Sequence, residues 1–502
     1  MSTNRLSVCW SRLPESKLRP LQAARLRAYL RDIVLPFHPH YRELFRKLGL
    51  TWRDIRTLDD LAKLPFTSKA DLSGGPERSR AFIIAPEARE LAARPSTILR
   101  GVLRGRSRTR EELEAEFRPI LMTSTTGRSA EPLPFVYTGR DLANLRTAGL
   151  RLMQVAGARR TDRMLCMFPF APHLAFWQTH YAATEFGAFM LSSGGGKTVG
   201  TDGNIRMLQR LRPDVLIGMP TFVYHVLHEA ALDGVRCENL RCIVLGGEKV
   251  SNGLRRKLRD GAALLGAGQV SVISTYGFTE AKMAWCECEF PPEVESPGYH
   301  LSPDLGIVEI VDPQTGARRG EGEPGEIVFT PLAARGSCVL RYRTGDVADG
   351  GLVYEPCPCC GRVLPRIVGR ISRKSEVVEM QLDKIKGTLV DFNELEHVLD
   401  DLPGAGSWQI ELRKAHDDPL DVDELILHVA PVDGASEETL FKEIGRRLFE
   451  RTELHANRIE FHTPAEIRRM QGVGEVLKEK KLVDRRPASD GQTTSTGTHI
   501  RK

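Results

Sequence analysis

The sequence predicts an α/β protein built as a large N-terminal domain followed by a small α+β lid, and three observations carry that prediction. The apolar runs Val215-Leu216-Ile217, Cys242-Ile243-Val244-Leu245 and Val270-Ser271-Val272-Ile273 begin 27 and then 28 residues apart, with amphipathic stretches between them. That is the spacing of βαβ units with parallel strands. After residue 305 the pattern becomes the alternating segments Ile307-Val308-Glu309-Ile310-Val311 and Glu326-Ile327-Val328-Phe329, joined by the turn-rich Asp312-Pro313-Gln314-Thr315-Gly316, which predicts a β subdomain over about 305–369. A second shift of composition at Gly369-Arg370 leads to helices at about 391–401 and 436–451 with strands near 408–413 and 424–430 between them.

Taken in order, residues 17–34 place Leu18, Leu21, Leu26, Leu30 and Val34 at roughly helical spacing, and Leu64-Pro65-Phe66-Thr67-Ser68-Lys69 reads as a turn that starts another helix. Residues 1–85 are therefore expected as a helical lead-in. Residues 86–116 are rich in Arg and Glu with little apolar periodicity, which fits an exposed helix-and-loop connection. The three βαβ runs are each expected to end in a loop, Gly218-Met219-Pro220, Gly246-Gly247-Glu248 and Tyr276-Gly277. Those loops would gather outside the carboxyl edge of the sheet, where α/β proteins bind ligands. The expected domains are thus 1–369 and 370–486, and the Ser-, Thr- and Gly-rich tail 487–502 is expected to be disordered.

With 502 residues, 41% hydrophobic and 27% charged, the chain has ordinary soluble composition and is too long for one core. A net charge of +6 with basic and acidic residues interleaved argues against nucleic-acid binding. No segment has the roughly 18 uncharged apolar residues of a membrane span, and the N-terminus lacks the layout of a secretory signal, so a cytoplasmic location is expected. Ten cysteines do not form a regular framework, but Cys286, Cys288, Cys357, Cys359 and Cys360 cluster and raise a metal question.

Four motifs stand in the order of one nucleotide site: Thr123-Ser124-Thr125-Thr126-Gly127-Arg128, Gly246-Gly247-Glu248, Tyr276-Gly277-Phe278-Thr279-Glu280 and Arg341-Tyr342-Arg343-Thr344-Gly345-Asp346. In the first, small hydroxyl residues and a glycine let backbone approach phosphate oxygens while the hydroxyls and Arg128 donate to them. In the third, a ring for adenine adjoins a carboxylate suited to Mg2+, a hard ion that prefers oxygen. The last is read as a Gly-Asp tight turn offering a carboxylate to a ribose diol through charge-assisted hydrogen bonds.

Together these motifs resemble the adenylate-forming (AMP-binding) superfamily, in its phenylacetate-CoA ligase-like branch, over residues of about 60–486. The resemblance implies a mobile C-terminal lid and a two-step reaction: ATP and a small carboxylic acid give an acyl-adenylate and pyrophosphate, and a thiol, usually coenzyme A, captures the acyl group. A carrier protein, an amine or a protein side chain would use the same first step, and a nucleotide-binding relative without turnover is the rival from another class. The resemblance assigns Thr123, Ser124, Thr125, Thr126, Gly127 and Arg128 to the phosphates, Gly246, Gly247 and Glu248 to the adenine wall, Tyr276 to adenine stacking, and Gly277 beside it to nucleotide binding. It assigns Thr279 to a phosphate, Glu280 to Mg2+, and Asp346 with Arg343 to the nucleotide. The family's loop carries glycine at Ser124 and lysine at Arg128, and arginine keeps the charge without the reach.

By the same resemblance, Lys478 in Lys478-Glu479-Lys480-Lys481-Leu482-Val483-Asp484 is the adenylation lysine, with Lys480 or Lys481 as substitutes, and the hinge falls near Arg370–Ser372. Lys386-Gly387-Thr388-Leu389-Val390 resembles the loop that builds the thiol tunnel, although it arrives later than expected. Phe176 and His180, in an aromatic-rich stretch, are chosen for the acyl pocket, and Gly194-Gly195-Gly196-Lys197 is read as a substrate-side turn. Cys357 and Cys360 form a C-x-x-C knuckle followed by Gly361, and with Cys288 and His300 they compose a Cys3His set for a structural Zn2+, with Cys286 or Cys359 as alternative ligands. A homodimer is left open.

Overall fold

A computed structural model describes residues 11–125, 132–373, 377–382, 385–415, 423–452, 454–475 and 479–486. Thr126, Gly127, Arg128, Lys478 and the tail 487–502 lie outside the described residues. The chain divides into two compact units, one of Met1–Val250 with Arg255–Lys374, the other of Ser375–Lys502 with Ser251–Leu254.

The first unit opens with the helix Glu15–Tyr29, which runs on through a π-helical turn at Leu30–Val34. The expected exposed connection is a set of helices, Ala88–Ala92, Pro95–Arg104 and Arg106–Phe117. Strands β1 (Pro119–Ser124) and β2 (Pro134–Thr138) then pair as an antiparallel hairpin. The chain continues through β3 (Arg163–Cys166), β4 (Phe189–Ser192), β5 (Val215–Gly218), β6 (Cys242–Leu245), β7 (Ser271–Phe278), β8 (Met283–Cys286) and β9 (Tyr299–His300).

Strands β4, β3, β5, β6 and β7 lie side by side and parallel. The apolar runs of β5 and β6 are wholly buried, as strands covered on both faces must be. Strand β7 is longer than its apolar run, and this corrects the expectation that Tyr276 and Gly277 start a loop. Its first half, Ser271–Ser274, follows β6, and where β6 ends the segment Thr275–Phe278 takes antiparallel β8 as its partner. Extended backbone therefore holds both residues.

The β subdomain contains β10 (Gly306–Val311), β11 (Gly325–Pro331), β12 (Tyr342–Ala348), β13 (Leu352–Val353), β14 (Arg366–Ile367) and β15 (Ile371–Arg373). Strands β10, β11, β12 and β15 form one antiparallel sheet, while β14 and β13 extend the large sheet beyond β9. Gly345 and Asp346 do not form the expected tight turn. They sit inside β12 where its register against β11 shifts between Glu326 and Val328, and Gly345, at φ 75°, supplies the left-handed residue that such an irregularity requires.

In the second unit, β16 (Val377–Leu382) and β17 (Ile385–Asp391) form a hairpin. They precede a sheet of β18 (Ala405–Lys414), β19 (Asp423–Pro431), β20 (Arg458–Phe461) and β21 (Leu482–Asp484) in the order β20-β19-β18-β21. Trp408, Ile410, Leu412, Leu425, Leu427 and Val429 alternate inward from β18 and β19, and Leu395, Leu399, Ile444 and Leu448 of the helices Phe392–Asp400 and Glu437–Thr452 pack with them. Among the described residues, no helix is long and apolar enough to cross a membrane.

Candidate active site

Two reciprocal tyrosine-carboxylate pairs join β7 to β12. Tyr276 of β7 donates its hydroxyl to Asp346 Oδ2 of β12 at 2.9 Å, and Tyr342 of β12 donates to Oε1 of Glu280, just beyond β7, at 2.7 Å. The rings of Phe278 and Tyr342 stack between them at a centroid distance of 6.4 Å. Arg373, directly opposite Asp346 on β15, donates to Asp346 Oδ1 at 3.1 Å. Burial pushes the Glu280 carboxyl above its usual range, although the Tyr342 hydroxyl opposes the shift. Such a carboxylate gains from a cation, and an oxygen donor of this kind suits Mg2+.

Strand β1, which leads into the hydroxyl-rich loop, is anchored from both sides. Thr123 is fully buried, with Oγ1 donating to the Tyr137 hydroxyl at 3.3 Å. Thr125 closes the mouth of the loop, since its amide donates to Leu133 O and its Oγ1 accepts from Leu133 N, both at 3.0 Å. Ser124 faces the neighbouring segment, where its amide donates to Pro172 O at 2.6 Å and its carbonyl accepts from His173 Nδ1 at 2.9 Å, which fixes the proton on that nitrogen.

Beneath the hairpin is a buried cation that the sequence did not single out. Lys282, in a left-handed conformation at φ 57°, places Nζ 3.1 Å from Asp141 Oδ1 and 5.0 Å from the centre of the Tyr137 ring. Burial lowers its pKa, against the pull of Asp141. Its sequence signal was weak: a lone lysine two residues after Glu280.

Gly246 and Gly247 follow β6, and a Cβ at Gly246 would collide with Thr275 Oγ1, so only glycine lets this backbone lie against β7. Glu248 accepts from Thr221 Oγ1 at 2.9 Å and Thr221 N at 3.3 Å. Gly277 lies in β7 opposite Ala284, and Thr279 opens the short helical turn Thr279–Ala281 that carries Glu280. Arg343 is engaged elsewhere than the nucleotide assignment supposed: its Nε donates to Glu326 Oε2 at 3.0 Å, its Nη2 donates to Pro313 O at 2.6 Å, and its guanidinium lies over Phe66.

Phe176 and His180 lie one turn apart on the helix Leu174–Phe186, with their rings stacked at 5.9 Å, and Phe170 meets Phe176 edge-on at 5.1 Å. Gly196 and Lys197 begin the helix Gly196–Leu211, so Gly194-Gly195 is the turn before a helix. The helix Leu174–Phe186 has as its N-cap residue His173, whose Nδ1 bonds to Ser124 O, so the start of the aromatic helix lies beside β1.

Apart from this constellation, Cys288, His300, Cys357 and Cys360 bring their ligand atoms within 4.8 Å of one another. Cys288 Sγ is 3.7 Å from Cys357 Sγ, and Cys360 Sγ is 3.3 Å from His300 Nε2. Tetrahedral zinc with bonds of about 2.3 Å to sulfur and 2.0 Å to nitrogen has edges of about 3.5–3.8 Å, so this donor set fits the ion. Hydrogen bonds from Cys288 and Cys357 pull the Cys360 thiol below its usual range, which favours a thiolate. Cys286 is turned away, donating to Leu152 O at 3.4 Å, and Cys359 is outside the quartet.

A model of the AMP-binding enzyme family matches residues 112–339. The phenylacetate-coenzyme A ligase of Thermus thermophilus is 28% identical over 442 residues, covering 87% of this chain and 85% of its own. That of Aromatoleum evansii is 26% identical over 358 residues, 71% of each chain. A crystal structure of 2-hydroxyisobutyryl-CoA ligase in the postadenylation state, in complex with R3-HIB-AMP, has a TM-score of 0.74 at 19% identity, covering 95% of this chain and 92% of that one. In its motifs, in its fold and in these relatives, the chain is similar to the adenylate-forming, AMP-binding superfamily, and within it to the phenylacetate-CoA ligase-like branch.

Proposed function

We propose that this protein is an ATP-dependent acid-thiol ligase that forms an acyl-adenylate and then an acyl- or aryl-CoA thioester. The observation that carries the reading is the pair of tyrosine-held carboxylates, Asp346 and Glu280, brought from β12 and the end of β7 to one place. Asp346 accepts the ribose hydroxyls alongside the Tyr276 hydroxyl, and the Tyr276 ring and the Gly246-Gly247 backbone border the adenine. Thr123, Ser124, Thr125 and Thr279 donate to phosphate oxygens, as do Thr126, Gly127 and Arg128 of the loop. Glu280 is the residue that holds Mg2+, and that ion supplies charge neutralisation on the phosphates.

The substrate carboxylate, seated beside Phe176 and His180, attacks the α-phosphorus, and the bond to pyrophosphate breaks. Lys478 balances the charge that gathers on the α-phosphate. The thiol of coenzyme A then attacks the acyl carbonyl, loses its proton, and AMP leaves. Aromatic lining of the acyl side suits an aryl or other apolar acid. Cys288, His300, Cys357 and Cys360 hold a structural Zn2+, which ties β9 to the knuckle after β13.

Product analysis tests the proposal. Incubation with ATP, Mg2+, a carboxylic acid and coenzyme A should yield AMP, pyrophosphate and a thioester in equal amounts. ADP with orthophosphate, or nucleotide binding without acid-dependent turnover, would overturn it.

A further inference from the structure

The C-terminal unit carries a second convergence of metal-ligating atoms, far in sequence from the cysteine quartet. His428 Nδ1 lies 3.0 Å from His462 Nε2 and 3.3 Å from Glu460 Oε2, and His462 Nε2 is 3.8 Å from the same oxygen. A tetrahedral ion with bonds of about 2.0–2.1 Å to nitrogen and oxygen has edges of about 3.3–3.4 Å, a spacing that the three separations bracket, so small side-chain shifts bring these atoms to three of its corners. The backbone sets them there: His428 of β19 is the register partner of Glu460 of β20, and His462 is fixed by its amide, which donates to Val429 O at 3.0 Å.

Protons account for this arrangement only in part. The far nitrogen of His428, Nε2, faces the carboxylate of Glu411 at 3.5 Å, and that carboxylate favours a proton on Nε2. Nδ1 then presents a lone pair that accepts from His462 Nε2–H but also faces the Glu460 oxygen at 3.3 Å. With the tautomer reversed, the repulsion moves to Glu411. A cation at the common point of Nδ1, Nε2 of His462 and Oε2 of Glu460 removes both conflicts, and the contact with Glu411 becomes the outer support that metal-bound histidines ordinarily have. His428 is buried with its side chain 8% exposed, whereas Glu460 and His462 are 38% and 24% exposed, so an ion has a path in and a fourth position for water or an outside ligand.

We propose that His428, Glu460 and His462 form a transition-metal site, with Zn2+ as its ion, that clips β19 to β20 at the entry to the helix Pro464–Gln471. Neutral imidazole and one carboxylate suit Zn2+, and Co2+ can replace it for spectroscopy.

Co2+ titration of the full-length protein, with metal content measured after dialysis against Zn2+, tests the site independently of catalysis. Thiolate-bound Co2+ gives an intense charge-transfer band, while a histidine-carboxylate site gives only weak d–d absorption, so the two sites are separable. Wild type should bind one more equivalent of Co2+ than the thiolate band accounts for. His462→Ala and Glu460→Gln should lose that equivalent, or weaken it by roughly 100-fold or more, with the thiolate band unchanged as evidence of folding. Cys360→Ser should retain it. Overturning results are wild type binding only the thiolate-linked equivalent, or an additional equivalent that persists unchanged in both His462→Ala and Glu460→Gln.

Discussion

Asp346 and Glu280 make opposite demands on the site, because one is satisfied before ligand arrives and the other is not. Asp346 already accepts from Tyr276 and Arg373, so Asp346→Asn should preserve the fold while losing the charged acceptor for the ribose. A charged hydrogen bond contributes about 1.5–3 kcal/mol, which predicts a KM for ATP raised roughly 10- to 150-fold in steady-state kinetics. Glu280 is half-buried and desolvation raises its pKa, so between the ordinary carboxyl value and the raised one the folded state keeps a proton that the unfolded chain has released. Stability is therefore lost as pH rises from the ordinary carboxyl range through the folded value. Glu280→Gln removes that penalty and keeps an acceptor for Tyr342. Without nucleotide or Mg2+ its Tm at neutral pH should equal or exceed that of wild type, while Mg2+-dependent turnover falls by at least about 10²-fold. A variant that is inactive and also much less stable would mean that Glu280 is a structural residue.

At the scale of elements, capping by a buried histidine gives a pH signature. His38 precedes the helix Pro39–Lys47, where its Nδ1 accepts from Tyr41 N at 3.3 Å and its Nε2–H donates to Cys338 O at 3.0 Å. Burial pushes its pKa down from 6.5 to about 3. Between those values the unfolded chain takes up a proton that the folded one refuses, so stability declines as pH falls, by up to about 1.4 kcal/mol per pH unit. His38→Asn, which retains a capping side chain, should be less stable above neutrality yet show a shallower decline in acid denaturation. Parallel curves would contradict it. Strand identity was largely legible in the sequence, since β5 and β6 are apolar runs and β10 and β11 alternate. What was not legible is pairing. That β7 outlasts its apolar run depends on β8, and the bulge at Gly345 depends on the register against β11, neither of which a local pattern records.

Across the whole molecule, the two units divide the proposed chemistry: the first carries the carboxylates and strand β1, and Lys478 belongs to the second. Substituting Lys478 by Ala should slow adenylation by orders of magnitude while sparing thioester formation from preformed acyl-adenylate, and equal loss of both partial reactions would remove the assignment. Legibility followed chemistry at this scale too. Motifs with few alternative uses, such as the C-x-x-C knuckle, led directly to a spatial cluster, and Cys288 and His300 joined it as expected. Residues whose placement depends on burial, such as Lys282 and the trio His428, Glu460 and His462, carry no motif and emerge only when strands are laid side by side. Adenylation without thiol is the claim on which the rest stands, and ATP–pyrophosphate exchange tests it most directly, across a panel of aryl and aliphatic carboxylates with Mg2+ present and coenzyme A absent. Exchange that requires both Mg2+ and an acid, and that is lost in Glu280→Gln, is the predicted result. Bound ATP with no exchange for any acid on a broad panel would contradict it and leave a nucleotide-binding protein without this activity.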